Sequence, residues 1–252
     1  MNEFLFAINI RQFFLLFPEN MLCYKTDNEM NDKGVNMSVI VLAGMIGAGK
    51  TTYTTMIAKE LGTEPFYEAV DNNPILEKYY ADPEKYAFAL QIFFLNKRFR
   101  SIKDALYHKN NVLDRSIYED ALFTQINYEE GNMSIEELDL YLELLDNMME
   151  ELDGMPKKGP DLLIYLRGSL ETHLDRIQKR GRSYEQIDGN QELLEYYTKL
   201  HGRYDDWFHS YDKSDTLIID IDSTNLEIPE DRERVMKEIK DKLAEIHAKE
   251  EK

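Results

Sequence analysis

The stretch "VIVLAGMIGAGKTTYTTMIAKEL", residues 39–61, constrains this chain more than any other. An apolar run of strand character meets three closely spaced glycines and passes into a helical pattern. Gly44-Met45-Ile46-Gly47-Ala48-Gly49-Lys50-Thr51 fits G-x-x-x-x-G-K-[ST] at every position, in the strand-to-helix setting that the motif requires. The glycines allow successive backbone N–H groups to face inward as a nest for anionic oxygens. The helix amino terminus adds partial positive charge. Lys50 can reach β- and γ-phosphates, and the Thr51 hydroxyl can bind Mg²⁺. With Thr52, these residues form the expected nucleoside-triphosphate-binding loop. Such a loop serves switches, motors and phosphoryl donors alike, so the remainder of the chain must decide among them.

Two of those uses are weakened by the sequence. A guanine-reading Asn-Lys-x-Asp is absent, since the Asn-Lys of "NKRF", 96–99, lacks the aspartate, and Asp-x-x-Gly occurs nowhere. A motor usually shows a long apolar strand before its magnesium carboxylate, whereas "NVLDRS" is short. A kinase of a small acceptor remains. Its formal net charge of -18 argues against a nucleic-acid polymer as partner but leaves room for a small anion held by a local basic cluster.

Strand and helix patterns alternate after Val39. Strands are expected at Val39–Ala43, Phe66–Val70, Val112–Asp114, 161–167 and 216–222. Helices are expected at Thr51–Leu61, from Pro83 to about His108, from a Ser134-x-x-Glu137 capping box onward, from Ser169 to about Arg180, over roughly 190–211, and after Pro229. This predicts an α/β fold, a five-stranded parallel sheet flanked by helices, with ligands beyond the carboxyl ends of the strands. The helix from 134 could serve the core or an interface.

Residues 1–36 are expected to form an extension outside the fold, and residues 37–252 the catalytic domain. The apolar run Phe4–Phe17 is broken by Arg11 and is too short to span a membrane. It lacks a basic leader, so initiation at Met30 or Met37 is favoured over a membrane- or partner-binding amphipathic segment. The one cysteine, Cys23, excludes an intrachain disulfide, which fits a cytoplasmic protein.

Chemistry clusters where strands end. Glu68, in "FYEAVDNNP", can face the phosphate loop and accept a proton from an attacking hydroxyl. In "DRSIYED", 114–120, Asp114 can position magnesium directly or through water, and Arg115 offers a planar cation to developing phosphoryl charge. In "RIQKRGR", Arg176, Arg180 and Arg182 flank a glycine joint and can close over a triphosphate as an arginine-rich lid. Each could instead be structural: a solvated strand-end glutamate, an Asp–Arg pair, a basic helix end.

Together these motifs resemble the deoxynucleoside kinase family, in particular the deoxyadenosine/deoxyguanosine kinases of Gram-positive bacteria and mycoplasmas. The likeness runs from about Val39 to Ile221. It implies a P-loop kinase fold and transfer of the ATP γ-phosphate to the 5′-hydroxyl of a deoxynucleoside, with Mg²⁺, in nucleotide salvage. Deoxyadenosine or deoxyguanosine is the expected acceptor, with deoxycytidine open. It further implies that Glu68 is the base, that Gln91, Arg98 and Asp120 surround the nucleobase, and that a tyrosine and Glu185 hold the sugar. Tyr80 matches that tyrosine, though one register shift would substitute Tyr79. A homodimer or closely related heterodimer is also implied. Asp114 departs from the glutamate of many animal members. A nucleoside monophosphate kinase resembling thymidylate kinase, or a non-catalytic nucleotide-binding regulator, remains the alternative.

Overall fold

The computed structural model describes residues 38–68, 73–105, 111–151 and 160–250. The chain divides into two units, Met1–Val35 and Asn36–Lys252, and every described residue belongs to the second. The expected amino-terminal extension lies outside the described residues.

Five parallel strands stand in the order β2-β3-β1-β4-β5. They are β1 (Val39–Ala43), β2 (Pro65–Phe66), β3 (Asn111–Asp114), β4 (Leu162–Arg167) and β5 (Asp215–Asp220). The central three are near-continuous buried apolar runs, as expected of strands covered on both faces. On one face, α1 (Lys50–Leu61) and α8 (Pro229–Glu250) press Ile57, Val235, Ile239 and Leu243 against Ile40, Leu42 and Ile164. Each such side chain contributes about 1.5–3 kcal/mol by leaving water. The opposite face is covered by α6 (Leu170–Arg180) and α7 (Gln191–Ser210), whose Ile177, Tyr197, Leu200 and Tyr204 pack on Leu163 and Tyr165.

A third group of helices lies beside the sheet: α2 (Leu76–Ala81), α3 (Pro83–Ala105), α4 (Ile117–Glu129) and α5 (Ile135–Glu151). Leu95, Ile117, Tyr141 and Leu145 form a core shared by α3, α4 and α5, while Leu76 and Tyr79 of α2 pack with Ala87 and Leu90 of α3. The capping box expected at Ser134 is present, with the Glu137 N–H donating to Ser134 Oγ and the Ser134 N–H to Glu137 Oε2. Helix α5 buries Leu138, Tyr141 and Leu145 but exposes Ile135, Leu140 and Leu142, so its apolar surface is only half used in this chain.

The structure corrects the sequence reading in two places. Strand β2 is two residues long, not Phe66–Val70. It pairs with β3 only at Val112 and Leu113, and after Phe66 the chain leaves the ladder, exposing Tyr67. Residues 69 and 70 lie outside the described segments. Helices α2 and α4 carried no clear apolar period. The reason is plain for α4, whose buried residues include Glu119, Asp120, Thr124 and Asn127. Its inward face is largely polar rather than a hydrophobic stripe. Helix α3 is described as far as Ala105, and its expected end near His108 lies outside the described residues.

The order of the strands places β3 on one side of β1 and β4 on the other. That reversal opens a crevice at the carboxyl end of β1, where the glycine loop begins.

Candidate active site

The loop after β1 folds as its sequence requires. Gly49 caps α1 in the left-handed region, φ 89°, which aims the first N–H groups of the helix at the crevice. At Gly47 a Cβ would fall 2.5 Å from the His173 carbonyl oxygen of α6, so only glycine fits there. Lys50 is buried, and its ammonium donates to the carbonyls of Gly44 (2.5 Å) and Met45 (3.1 Å). Burial and, next, the Arg115 charge lower its pKa to about 8, against the opposing pull of Glu119, Asp114 and Glu68.

A cavity of about 550 Å³ opens in front of this loop. One end is lined by Gly47, Gly49, Lys50, Thr51 and Thr52. The other is lined by Tyr79, Tyr80, Leu90, Gln91, Phe94, Asp120 and Phe123, with Glu68, Asp114 and Arg115 between the two ends and Arg180, Arg182 and Glu185 also on its wall. Residues from six elements and their connecting loops therefore share one space.

At the centre, Glu68 Oε1 lies 3.0 Å from Arg98 Nη2 and 2.7 Å from Arg115 Nε. Burial alone would raise the Glu68 pKa, but the charges of Arg115, Arg98 and Lys50 outweigh it and hold the carboxyl at about 2. Arg98 does not line the cavity. It is buried, grips Asp120 with two bonds (2.9 and 3.1 Å) and donates to the Asp114 carbonyl (2.9 Å). Burial raises the Asp120 carboxyl, opposed by Arg98.

Arg115 has φ 89°, a conformation that side chains other than glycine seldom adopt and that functional sites retain at a cost. Its N–H donates to the Leu42 carbonyl of β1, which fixes the turn at the end of β3. The guanidinium lies over the Phe123 ring, 4.7 Å from its centroid, and donates to Glu119 Oε1 at 2.9 Å. Beside it, Thr51 Oγ donates to Asp114 Oδ2 at 2.5 Å. Asp114 Oδ1 is buried without a hydrogen-bond partner, and burial, with the nearby Glu68 charge, raises this carboxyl. An orphaned carboxylate oxygen next to a loop threonine suits a hard divalent cation whose other ligands are waters and phosphate oxygens.

At the end away from the glycine loop, Gln91 is buried and its Oε1 accepts from Thr124 at 3.4 Å. The Tyr79 hydroxyl donates to Asn127 (2.9 Å). Tyr80 packs its ring 5.2 Å from that of Tyr184, and its hydroxyl feels the Glu185 charge. Both tyrosines line the cavity. Glu185 is itself held by Arg180 at 2.5 Å and Arg182 at 3.5 Å. Arg176 does not line the cavity. It donates to the Ala48 carbonyl (2.9 Å) and the Ile221 carbonyl (3.2 Å), tying the phosphate loop to the end of β5.

Sequence reasoning missed Glu119 and Tyr204. Glu119 has no exposed surface and receives Gly44 N–H (3.1 Å), Arg115 and the Tyr204 hydroxyl (2.5 Å). The available signal was the Ser116-x-x-Glu119 capping box, which would have started a helix there.

A sequence model of the deoxynucleoside kinase family matches residues 40–244. The chain is 55% identical to a deoxyguanosine kinase of Lactobacillus acidophilus over 83% of its own length and 92% of that protein. It is 46% identical to a deoxyadenosine kinase of the same organism over 83% and 98%. Among solved structures, a deoxyadenosine kinase from M. mycoides with bound dATP superposes with a TM-score of 0.67 at 33% identity, covering 80% of this chain and 99% of that one. With a triphosphate loop and an acceptor pocket sharing one cavity, this chain belongs to the deoxynucleoside kinase family and is an ATP-dependent deoxynucleoside kinase.

Proposed function

We propose that the chain transfers the γ-phosphoryl group of ATP to the 5′-hydroxyl of a purine deoxynucleoside, deoxyguanosine first and deoxyadenosine second. The observation that carries this reading is Glu68, a carboxylate set between two guanidiniums in the cavity that joins the phosphate loop to Gln91, Tyr80 and Glu185. The order of bases follows the names of the similar proteins, deoxyguanosine kinase at 55% and deoxyadenosine kinase at 46% identity. Gln91 supports a base with mixed donors and acceptors. With its Oε1 accepting from Thr124, Gln91 keeps its amide N–H₂ as a donor, which suits a purine N7.

The proposed reaction is an in-line displacement. The 5′-oxygen attacks the γ-phosphorus, its proton passes to Glu68, and the bond to the β-phosphate oxygen breaks to leave ADP. Glu68 is a feeble proton acceptor while both arginines hold it, since its pKa of about 2 lies far below that of an efficient base near neutrality. An arriving triphosphate offers Arg115 a competing anion, so Glu68 gains basicity as the donor binds. Lys50 turns from the Gly44 and Met45 carbonyls to the phosphates. Arg180 and Arg182 leave Glu185 for the triphosphate, and the released carboxylate takes the 3′-hydroxyl together with Tyr80. Arg176 acts on ATP through the loop that it anchors. Thr51 and Asp114 would hold Mg²⁺, which neutralises phosphate charge when bound. The enzyme works as a dimer, for which the exposed apolar side of α5 offers a surface.

A panel of four deoxynucleosides with ATP, run beside deoxyadenosine and deoxyguanosine monophosphates, tests the reading. Phosphorylation of deoxyguanosine and deoxyadenosine with both monophosphates inert is expected. Turnover of monophosphates alone would end it.

A further inference from the structure

Arg115 is shared between two carboxylates. Its Nε lies 2.7 Å from Glu68 Oε1, and its Nη1 donates to Glu119 Oε1 at 2.9 Å. Glu68 stands on the cavity wall, whereas Glu119 lies one helical turn along from Arg115 with no exposed surface and does not line the cavity. The same Glu119 oxygen also receives the Gly44 N–H at 3.1 Å and the Tyr204 hydroxyl at 2.5 Å, and Glu119 Oε2 lies 3.4 Å from the Ser116 N–H. The Tyr204 oxygen accepts from Arg115 Nη1 at 3.3 Å and sits 3.1 Å from the Gly44 carbonyl. Thus one buried carboxylate and one buried phenol tie the guanidinium to the first glycine of the phosphate loop.

We propose that Glu119, braced by Tyr204, is the positioning residue for Arg115: it retains the guanidinium at the phosphate loop when Glu68 releases it to the transferring phosphoryl group. The inference rests on the role given above to Arg115. Its physical content is a difference in exposure. The Glu68–Arg115 pair faces the ligand space and must open for the 5′-hydroxyl to reach Glu68. The Glu119–Arg115 pair is sealed under α7, where a charge-assisted bond is strong and breaking it would strand a buried charge. Without Glu119 the guanidinium keeps a single carboxylate partner, Glu68, and grips the base in competition with ATP.

The test compares Glu119→Gln and Tyr204→Phe with the parent enzyme, each also combined with Arg115→Lys. Glu119→Gln should lower kcat about 10- to 100-fold, the scale of a misplaced catalytic group. Tyr204→Phe, which removes one oxygen and keeps the ring stacked on Tyr165, should lower it several-fold. KM for the deoxynucleoside should stay within about twofold in both, because the removed interaction matters only as charge moves. On the Arg115→Lys background neither change should cost more than about a further twofold, since both act through the guanidinium. Thermal melts establish that each variant is folded; if Glu119→Gln is not, Tyr204→Phe carries the same comparison. Parent-like kcat in the folded variants, or losses that multiply in full on Arg115→Lys, would overturn the assignment. Parent-like kcat in Arg115→Lys itself would instead overturn the role given to Arg115, and this inference with it.

Discussion

The two ends of the cavity are built on different plans. The end read as the donor site is one contiguous segment, Gly44–Thr52, a backbone loop shaped by positive-φ glycines and a helix start. The other end, read as the acceptor site, draws Tyr80, Gln91, Asp120 and Glu185 from separate stretches of the chain, with Glu68 at its inner edge, and its carboxylates are held by charge, Glu68 and Asp120 by the buried Arg98 and Glu185 by Arg180. A backbone cradle is specified by spacing and by the absence of side chains. A charge network is specified by which partners the fold brings within about 3 Å, and it fails when one partner is lost.

That contrast gives experiments of graded size. Glu68→Gln strikes the acceptor end alone. It should lower kcat by about 10²- to 10⁴-fold while ATP binding by titration stays near that of the parent. Near-normal turnover would remove Glu68 as the base. Arg98→Met leaves Glu68 and Asp120 without a shared buried partner, so the acceptor end should cost the fold about 3–5 kcal/mol in urea unfolding. If stability holds, the network is a set of independent pairs.

Gly47→Ala strikes the donor end. The added Cβ meets the His173 carbonyl, at a positive φ of 84°, and should cost about 1–3 kcal/mol and raise KM for ATP more than KM for the nucleoside. Equal changes in both constants would blur the division between the ends.

The smallest effect is a pH slope. Burial, then the His201, Lys50 and Arg176 charges, lowers the His173 pKa to about 3 on the helix that supports the donor loop. Between the unfolded value near 6.5 and the folded one, the unfolded chain binds the extra proton, so stability falls as pH drops. The expected slope is about 1.4 kcal/mol per pH unit for one proton, and it should flatten in His173→Gln. Glu68 adds the same sign lower down, from its unfolded value near 4.5 toward 2.

The difference in plan also explains what could be read in advance. The phosphate loop, the alternating elements and the strand-end carboxylates were legible because residue type and spacing encode them directly. Asp114 and Arg115 stood out because a short strand ends in charge. Glu119 and Tyr204 did not, since a glutamate at the third position of a helix looks like capping, and a tyrosine among many aromatics looks like core. Both are these things as well. The sequence likewise shows three arginines near a glycine joint but not their directions: Arg180 and Arg182 reach the cavity, while Arg176 reaches backbone. Helix α4 escaped because its polar inward face erased the periodicity on which helix recognition depends.

The guanidinium of Arg98 touches both Asp120 and Glu68. On the roles expected for Asp120 at the base and proposed for Glu68 at the proton, selectivity and speed share one component. A library that widens base acceptance at position 120 will also retune the proton acceptor, so gains on a new analogue will tend to arrive with slower turnover. Positions 98 and 120 are therefore best varied as a pair, with turnover on the native nucleoside used as the counter-screen.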